Sequence, residues 1–145
     1  MIVADTNIIS YLFLPTVYSE KASLLYLQDA EWAAPSLWRS EFRNVLALYL
    51  RQQIITLTEA LTIQEEAEAL MADHEFIVTS VQVLTLTDSS PCSAYDCEFV
   101  ALAKQLSVKL VTQDKKILRE FPDVAVSLDV FLIKEADFGG NDHEM

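Results

Sequence analysis

Short apolar blocks alternate with longer amphipathic stretches along this chain. Ile2-Val3-Ala4, too short for a helix, reads as a buried strand. Asp5-Thr6-Asn7 supplies helix-starting chemistry for a helical stretch toward Leu14, which Pro15 stops. Ser19 to Ala30 carries Ala22, Leu25 and Tyr26 at helical spacing. Glu31 to Ala34 reads as a second strand ended by Pro35, and Ser36 as the N-cap of a long helix to Gln53. In that helix Trp38, Phe42, Val45, Leu48 and Tyr49 share one face. A further helix opens at Leu57 and Thr58, sets the apolar positions Leu61, Ala67, Leu70 and Met71 among five acids, and breaks at Asp73-His74-Glu75. Exposed apolar positions in this helix and in Ser19 to Ala30 are candidates for contact with a second copy or a partner peptide. Phe76 to Thr79 reads as a third strand, Ser80 to Ser89 as a helix, and Ser93 as the cap of a helix to Leu106. Lys109 to Thr112 is a fourth strand, Asp114 to Arg119 a short helix, and Val124 to Ser127 a fifth strand with an extension through Leu132.

Strands this short, alternating with helices, imply βαβ units: an α/β fold whose parallel sheet is covered on both faces. Sites in such sheets gather beyond the carboxyl ends of the strands, where Asp5 and Asp114 fall. There is no internal repeat or linker, so residues 1–133 read as one domain and residues 134–145 as a flexible acidic tail.

Composition narrows the chemistry. A chain of 145 residues that is 52% apolar can bury one real core. No apolar run approaches the roughly 18 residues of a membrane span. An acid at position 5 comes too early for a secretory leader, so a cytoplasmic protein is expected. Cys92 and Cys97 are too few for a disulfide framework, and with only His74 and His143 beside them they fall short of a zinc site. Gly139 and Gly140 are the only glycines, which removes every glycine-rich phosphate loop; a bound phosphate would need a metal ion and side chains. The net charge of −12 argues against broad electrostatic binding of nucleic acid, and it favours a basic partner covering part of the surface.

Four acids stand where a carboxylate is awkward. Asp5 ends the first strand, Glu41 interrupts the Trp38–Phe42 stripe, Asp96 shares a face with Phe99, Val100 and Ala103, and Asp114 closes the fourth strand. Each has a structural alternative. Asp5 and Asp114 are well placed to cap helices, Ser93-Ala-Tyr-Asp96 matches a capping box, and Glu41 could pair with a buried arginine. Glu98 is expected to point outward. Acids that approach a core from distant segments converge most simply on a hard divalent cation, which takes oxygen ligands from separate parts of a chain.

Read together, Met1-Ile-Val-Ala-Asp5-Thr-Asn7, Ser40-Glu41-Phe-Arg-Asn-Val-Leu46, Ala94-Tyr-Asp96-Cys-Glu-Phe-Val-Ala-Leu-Ala103 and Leu110-Val-Thr-Gln-Asp114 resemble the PIN-domain nucleases, and most nearly the VapC-type toxins of toxin–antitoxin pairs. The likeness runs in order from Met1 to about Leu132. It implies a three-layer α/β/α sandwich with a parallel sheet of about five strands. It further implies Mg²⁺ or Mn²⁺ at an acidic cluster, cleavage of RNA, a cognate antitoxin and a homodimer. Carried over by position, Asp5 and Asp96 would be the principal metal ligands. Glu41 and Asp114 would be the remaining acids, and Thr6, Asn7 and Thr112 would orient them. Arg43, Lys115, Lys116 and Arg119 flank the acids and are candidates for holding substrate phosphates; a solvated helix face is the competing role. Tyr11, Phe13, Trp38 and Tyr49 include candidates for stacking on a base, against core packing.

Other classes fit less well. A haloacid-dehalogenase-like phosphatase would want a second Asp where Asn7 stands, and a receiver domain would want paired acids after the first strand and a late strand-end Lys. A PIN-like scaffold that binds without cutting remains open at this level.

Overall fold

The computed structural model describes residues 1–133; the tail expected at 134–145 lies outside the described residues. Five short strands form one parallel sheet: β1 (Ile2–Ala4), β2 (Trp32–Pro35), β3 (Glu75–Phe76), β4 (Leu110–Val111) and β5 (Ala125–Val126), in the order β3-β2-β1-β4-β5. Every pairing is parallel, with Val3 opposite Ala33 on one side and Leu110 on the other. Seven helices connect the strands: α1 (Thr6–Phe13), α2 (Ser19–Gln28), α3 (Trp38–Arg51), α4 (Leu57–Met71), α5 (Ser80–Asp88), α6 (Ala94–Leu106) and α7 (Lys115–Glu120). Residues 128–133 are helical as well, in place of the expected strand extension.

Burial explains the layering. All of β1 and β2 is buried, and such strands need helices on both faces. The α6 helix supplies one cover, lying along β1, β2 and β4 and backed by α5. Its run Phe99-Val100-Ala101-Leu102-Ala103 is almost inaccessible to solvent. The α1 and α4 helices lie against β1 and β2, with α2 and α3 packed beside α1, so the molecule is the expected three-layer sandwich. The core is anchored by Trp32, Trp38, Phe42 and Phe99. Both cysteines are free and buried.

The strand order matters for function. From β1 the chain moves to β2 and β3 on one side, then crosses to β4 and β5 on the other. The ends of β1 and β4 therefore flank a topological switch point, where connections leave in opposite directions and open a crevice.

Several local expectations change. The β3 strand ends at Phe76, two positions before Val78, because Thr79 is taken as N-cap of α5: its hydroxyl accepts the Gln82 N–H, and Gln82 returns the bond. The long third helix begins at Trp38 rather than after a Ser36 cap. The Ser36 N–H is spent on the Phe76 carbonyl at the sheet edge, and Leu37 stands at the cap position without a side-chain bond. Leu48, expected inside, is 50% exposed, whereas Leu46 is buried; Leu61 is 62% exposed.

A second anchor is polar. The Arg39 guanidinium reaches Glu75 through two nitrogens at 2.7 and 2.6 Å and Glu68 through the third at 2.7 Å, while the Trp38 indole N–H donates to Glu75 at 2.9 Å. This fork ties α3 to α4 and to the start of β3. Because α6 carries one whole layer, Leu102→Ala is expected to cost about 2–5 kcal/mol. Leu61→Gln, on exposed surface, should stay within about 0.5 kcal/mol. Urea unfolding monitored by circular dichroism measures both.

Candidate active site

Asp5 is the first residue after β1, and its N–H still donates to the Val111 carbonyl of β4 at 3.1 Å. Its side chain then turns to two tasks. Oδ1 accepts the Thr6 N–H at 2.8 Å, capping α1, and Oδ2 accepts the Thr112 hydroxyl at 2.6 Å. The same Thr112 oxygen accepts the Asp114 N–H at 3.0 Å, so one buried hydroxyl sets both acids. Asp114 caps α7 by accepting the Ile117 N–H at 3.0 Å. Asn7 accepts the Gln113 N–H at 3.4 Å, a long bond between the start of α1 and the segment after β4.

Glu41 arrives from the first turn of α3 and accepts the Thr6 hydroxyl at 2.7 Å. Thr6 thus links Glu41 to the Asp5 turn. Asp96 comes from the first turn of α6, where its N–H donates to the Ser93 hydroxyl at 3.1 Å. All four acids line one cleft of about 590 Å³, together with Thr6, Asn7, Ser10, Ser40, Asn44 and Tyr95. Capping and convergence therefore coexist: Asp5, Asp114 and the Ser93–Asp96 pair serve helix ends and still present acids to the same space.

Among the described residues no lysine or arginine lines this cleft. Among the described residues, neither Glu41 nor the other three acids makes an ion pair, so the alternative of a buried arginine partner for Glu41 is not realised. The consequence is electrostatic. Burial pushes the Asp5 carboxyl up from 3.8 to about 7, against the opposing effect of its two hydrogen bonds; Glu41 and Asp96 add to the rise. Burial likewise raises Glu41, with Asp96 and Glu98 adding to the effect, and raises Asp96, with Asp114 adding to it.

The flanking cations divide. Lys116 is near enough to Asp96 to favour its charged form, and Lys115 beside it is exposed. Arg43 points to Glu68 at 4.0 Å and Arg119 to Glu120 at 3.3 Å, and neither lines the cleft. Of the aromatics, Trp38 is fully buried, Phe13 packs against Phe42, and Tyr11 against Tyr18 at 4.7 Å between ring centres. Tyr49 is half-buried against the core.

Three residues escaped the sequence reading. Glu98 is partly buried, not outward, and its carboxyl is raised by that burial. Asn44 lines the cleft; its spacing of three from Glu41 on one helix was the available signal. Tyr95, adjacent to Asp96, also lines it and is 63% exposed.

The donor set tests the implied ion. Every candidate ligand is an oxygen, and the acids crowd together without a cation, which suits a hard divalent ion. Among the described residues no three Asp, Glu, His or Cys side chains stand as a ready-made metal cage.

Known proteins resemble this chain in sequence and fold. A model of the PIN domain matches residues 2–124, and the chain belongs to that family. The ribonuclease VapC3 of Pyrobaculum aerophilum is 28% identical over 125 residues, covering 83% of this chain and 95% of that protein. Among solved structures, PAE2754 from Pyrobaculum aerophilum superposes with a TM-score of 0.73 at 17% identity, covering 94% of this chain and 89% of that one. A toxin–antitoxin complex from Klebsiella pneumoniae gives 0.66 at 16%, covering 88% and 98%. FitAcB from Neisseria gonorrhoeae gives 0.62 at 22%, covering 88% and 96%.

The raised Asp5 carboxyl has a consequence for stability. Between about pH 4 and pH 7 the folded chain keeps a proton that the unfolded chain has released, so folding weakens as pH rises through that window. The full penalty above pH 7 is on the order of 4 kcal/mol. In EDTA, Asp5→Asn should therefore raise the melting temperature at pH 8, with the gain shrinking toward zero at pH 4. An equal gain at both pH values would contradict the burial account.

Proposed function

We propose that this protein is an endoribonuclease that hydrolyses RNA phosphodiester bonds with Mg²⁺ or Mn²⁺ and acts as the toxin of a toxin–antitoxin pair. The observation that carries the reading is one cleft lined by Asp5, Glu41, Asp96 and Asp114 with no basic side chain among its described lining residues. The 28% identity to a VapC ribonuclease supports the choice of RNA over other phosphodiesters.

Asp5, Glu41, Asp96 and Asp114 would hold the ion, directly or through its waters. When bound, the ion supplies positive charge for the phosphoryl oxygen and lowers the pKa of a water near it. The chain's own part is orientation and polarity. Thr112 fixes Asp5 and the Asp114 backbone from one hydroxyl, and Thr6 fixes Glu41, so three of the acids are held by buried or half-buried hydrogen bonds before any ligand arrives. The raised carboxyls mean that cation and proton compete for the cleft, and cleavage should increase as pH rises through about 7. Lys116, beside Asp96, is placed to meet a substrate phosphate.

The partner is a cognate antitoxin. The molecule's net charge of −12 favours basic stretches on it, and exposed Leu57, Leu61, Val81 and Leu84 offer apolar contact to it or to a second copy of the chain. No helix among the described residues is long and apolar enough to cross a membrane, in keeping with a cytoplasmic site of action.

Incubating the purified protein with total RNA tests this reading. Cleavage should require Mg²⁺ or Mn²⁺, disappear in EDTA and be lost in Asp5→Asn and Asp96→Asn; activity surviving all three would sink it. A scaffold would cut nothing in any condition, and a phosphatase would release phosphate from small monoesters while sparing RNA. Thr112→Val should lower cleavage about 10- to 100-fold, while Thr112→Ser, which keeps the hydroxyl, should retain most of it.

A further inference from the structure

Any nuclease must hold its substrate against the repulsion between phosphates and its own acids. Most do so with lysines and arginines, and log affinity then falls steeply with salt. Among the described residues none of these lines this cleft; Arg43 and Arg119 are turned to Glu68 and Glu120, and Lys116 alone of the four flanking cations acts on one of its acids, Asp96. What the cleft does contain is an aromatic ring that the fold leaves unused. Tyr95 stands beside Asp96 in the first turn of α6 and is 63% exposed, whereas the ring at the next turn, Phe99, is 1% exposed. Tyr95 is absent from the hydrophobic core and from the layer packed on it, forms no aromatic pair, and its hydroxyl has no hydrogen-bond partner in the described structure. An exposed ring without packing or hydrogen bond contributes little to stability, and its position on the wall of the acidic cleft needs another explanation.

We propose that Tyr95 is a substrate-binding residue: its ring stacks on an unpaired base next to the scissile phosphate, and this uncharged contact supplements the phosphate contact available from Lys116 beside Asp96. Stacking is indifferent to the sign of nearby charge and tolerant of base identity, because every base has a π-face. The rest of the wall agrees with that chemistry. Ser40, Asn44 and Asn7 line the cleft with neutral donors and acceptors that can meet sugar and base edges without adding charge. A base inside a duplex has no free face for Tyr95, so the geometry favours RNA whose target nucleotide is unstacked. This inference rests on the nuclease reading above and extends it to a particular residue.

The test uses the full chain with Mg²⁺ and a short single-stranded RNA, alongside the same sequence annealed to its complement. Tyr95→Ala should lower kcat/KM on the single strand about tenfold, mainly through KM, with an unchanged melting temperature; Tyr95→Phe and Tyr95→Trp should restore it. The single strand should be cut faster than the duplex by the wild type, and this preference should shrink in Tyr95→Ala. A second readout needs no turnover. In the Asp5→Asn chain, the Tyr95 ring proton resonances, assigned by comparison with Tyr95→Phe, should shift upfield when the single strand is added. Unchanged kcat/KM in Tyr95→Ala, or ring resonances that do not move, would overturn the proposal while leaving the nuclease reading intact. Failure of the wild type to cut any RNA with Mg²⁺ or Mn²⁺ would instead strike the nuclease reading, and the resonance shift would then judge Tyr95 separately.

Discussion

Carboxylates drawn together without a cation are the condition on which this structure turns. Asp5 is buried at the end of the central strand, Glu41 and Asp96 stand close enough to raise its pKa, and Asp114 raises that of Asp96. A fold selected for stability alone would neutralise such a cluster with an arginine, as it does elsewhere: Arg39 forms three short bonds to Glu68 and Glu75 on the neighbouring face of α3. The contrast within one helix is informative. Where charge serves structure it is paired; where it lines the cleft it is left unpaired among the described residues, the pattern of a functional site.

The scaffold around the cluster explains how the strain is borne. Each acid is attached to a helix start or a strand end whose backbone N–H groups need acceptors anyway. Asp5 caps α1 and Asp114 caps α7, while Ser93 caps α6 and leaves Asp96 one turn inside it. Thr112 contributes most per atom, since its one hydroxyl donates to Asp5 and accepts from Asp114. Local hydrogen bonds thus offset part of the cost of burying charge, and they fix the carboxylates in place ahead of any ion. The cleft itself follows from strand order, because the central β1 has neighbours reached in opposite directions.

Net charge reads differently once its placement is known. An excess of twelve negative charges argues against phosphate binding only if affinity comes from basic patches. With an acidic cleft walled by Asn, Ser and one exposed Tyr, and Lys116 near Asp96, recognition of nucleic acid would rest more on stacking and neutral hydrogen bonds than on basic patches. The same acidity leaves the outer surface suited to a basic protein partner.

Much of this was legible in the chain itself. Buried strands announce themselves as apolar runs at Ile2–Ala4 and Leu110–Val111, and the helices by their periodicity, so the alternating α/β order followed from local pattern. The four acids were conspicuous because each broke an apolar stripe or closed a strand. Local pattern failed where the outcome depended on neighbours in space. The third strand lost its last residues to the Thr79 cap, Leu48 faced solvent, and Glu98 was partly buried. Asn44 and Tyr95 could not be placed on the cleft wall by spacing alone, because which flank of α3 and α6 meets the crevice is set by how those helices cross the sheet. The sequence by itself determined which residues avoid water and which carry charge. Only the tertiary structure decided which charges share a space, since that depends on packing between segments far apart in the chain.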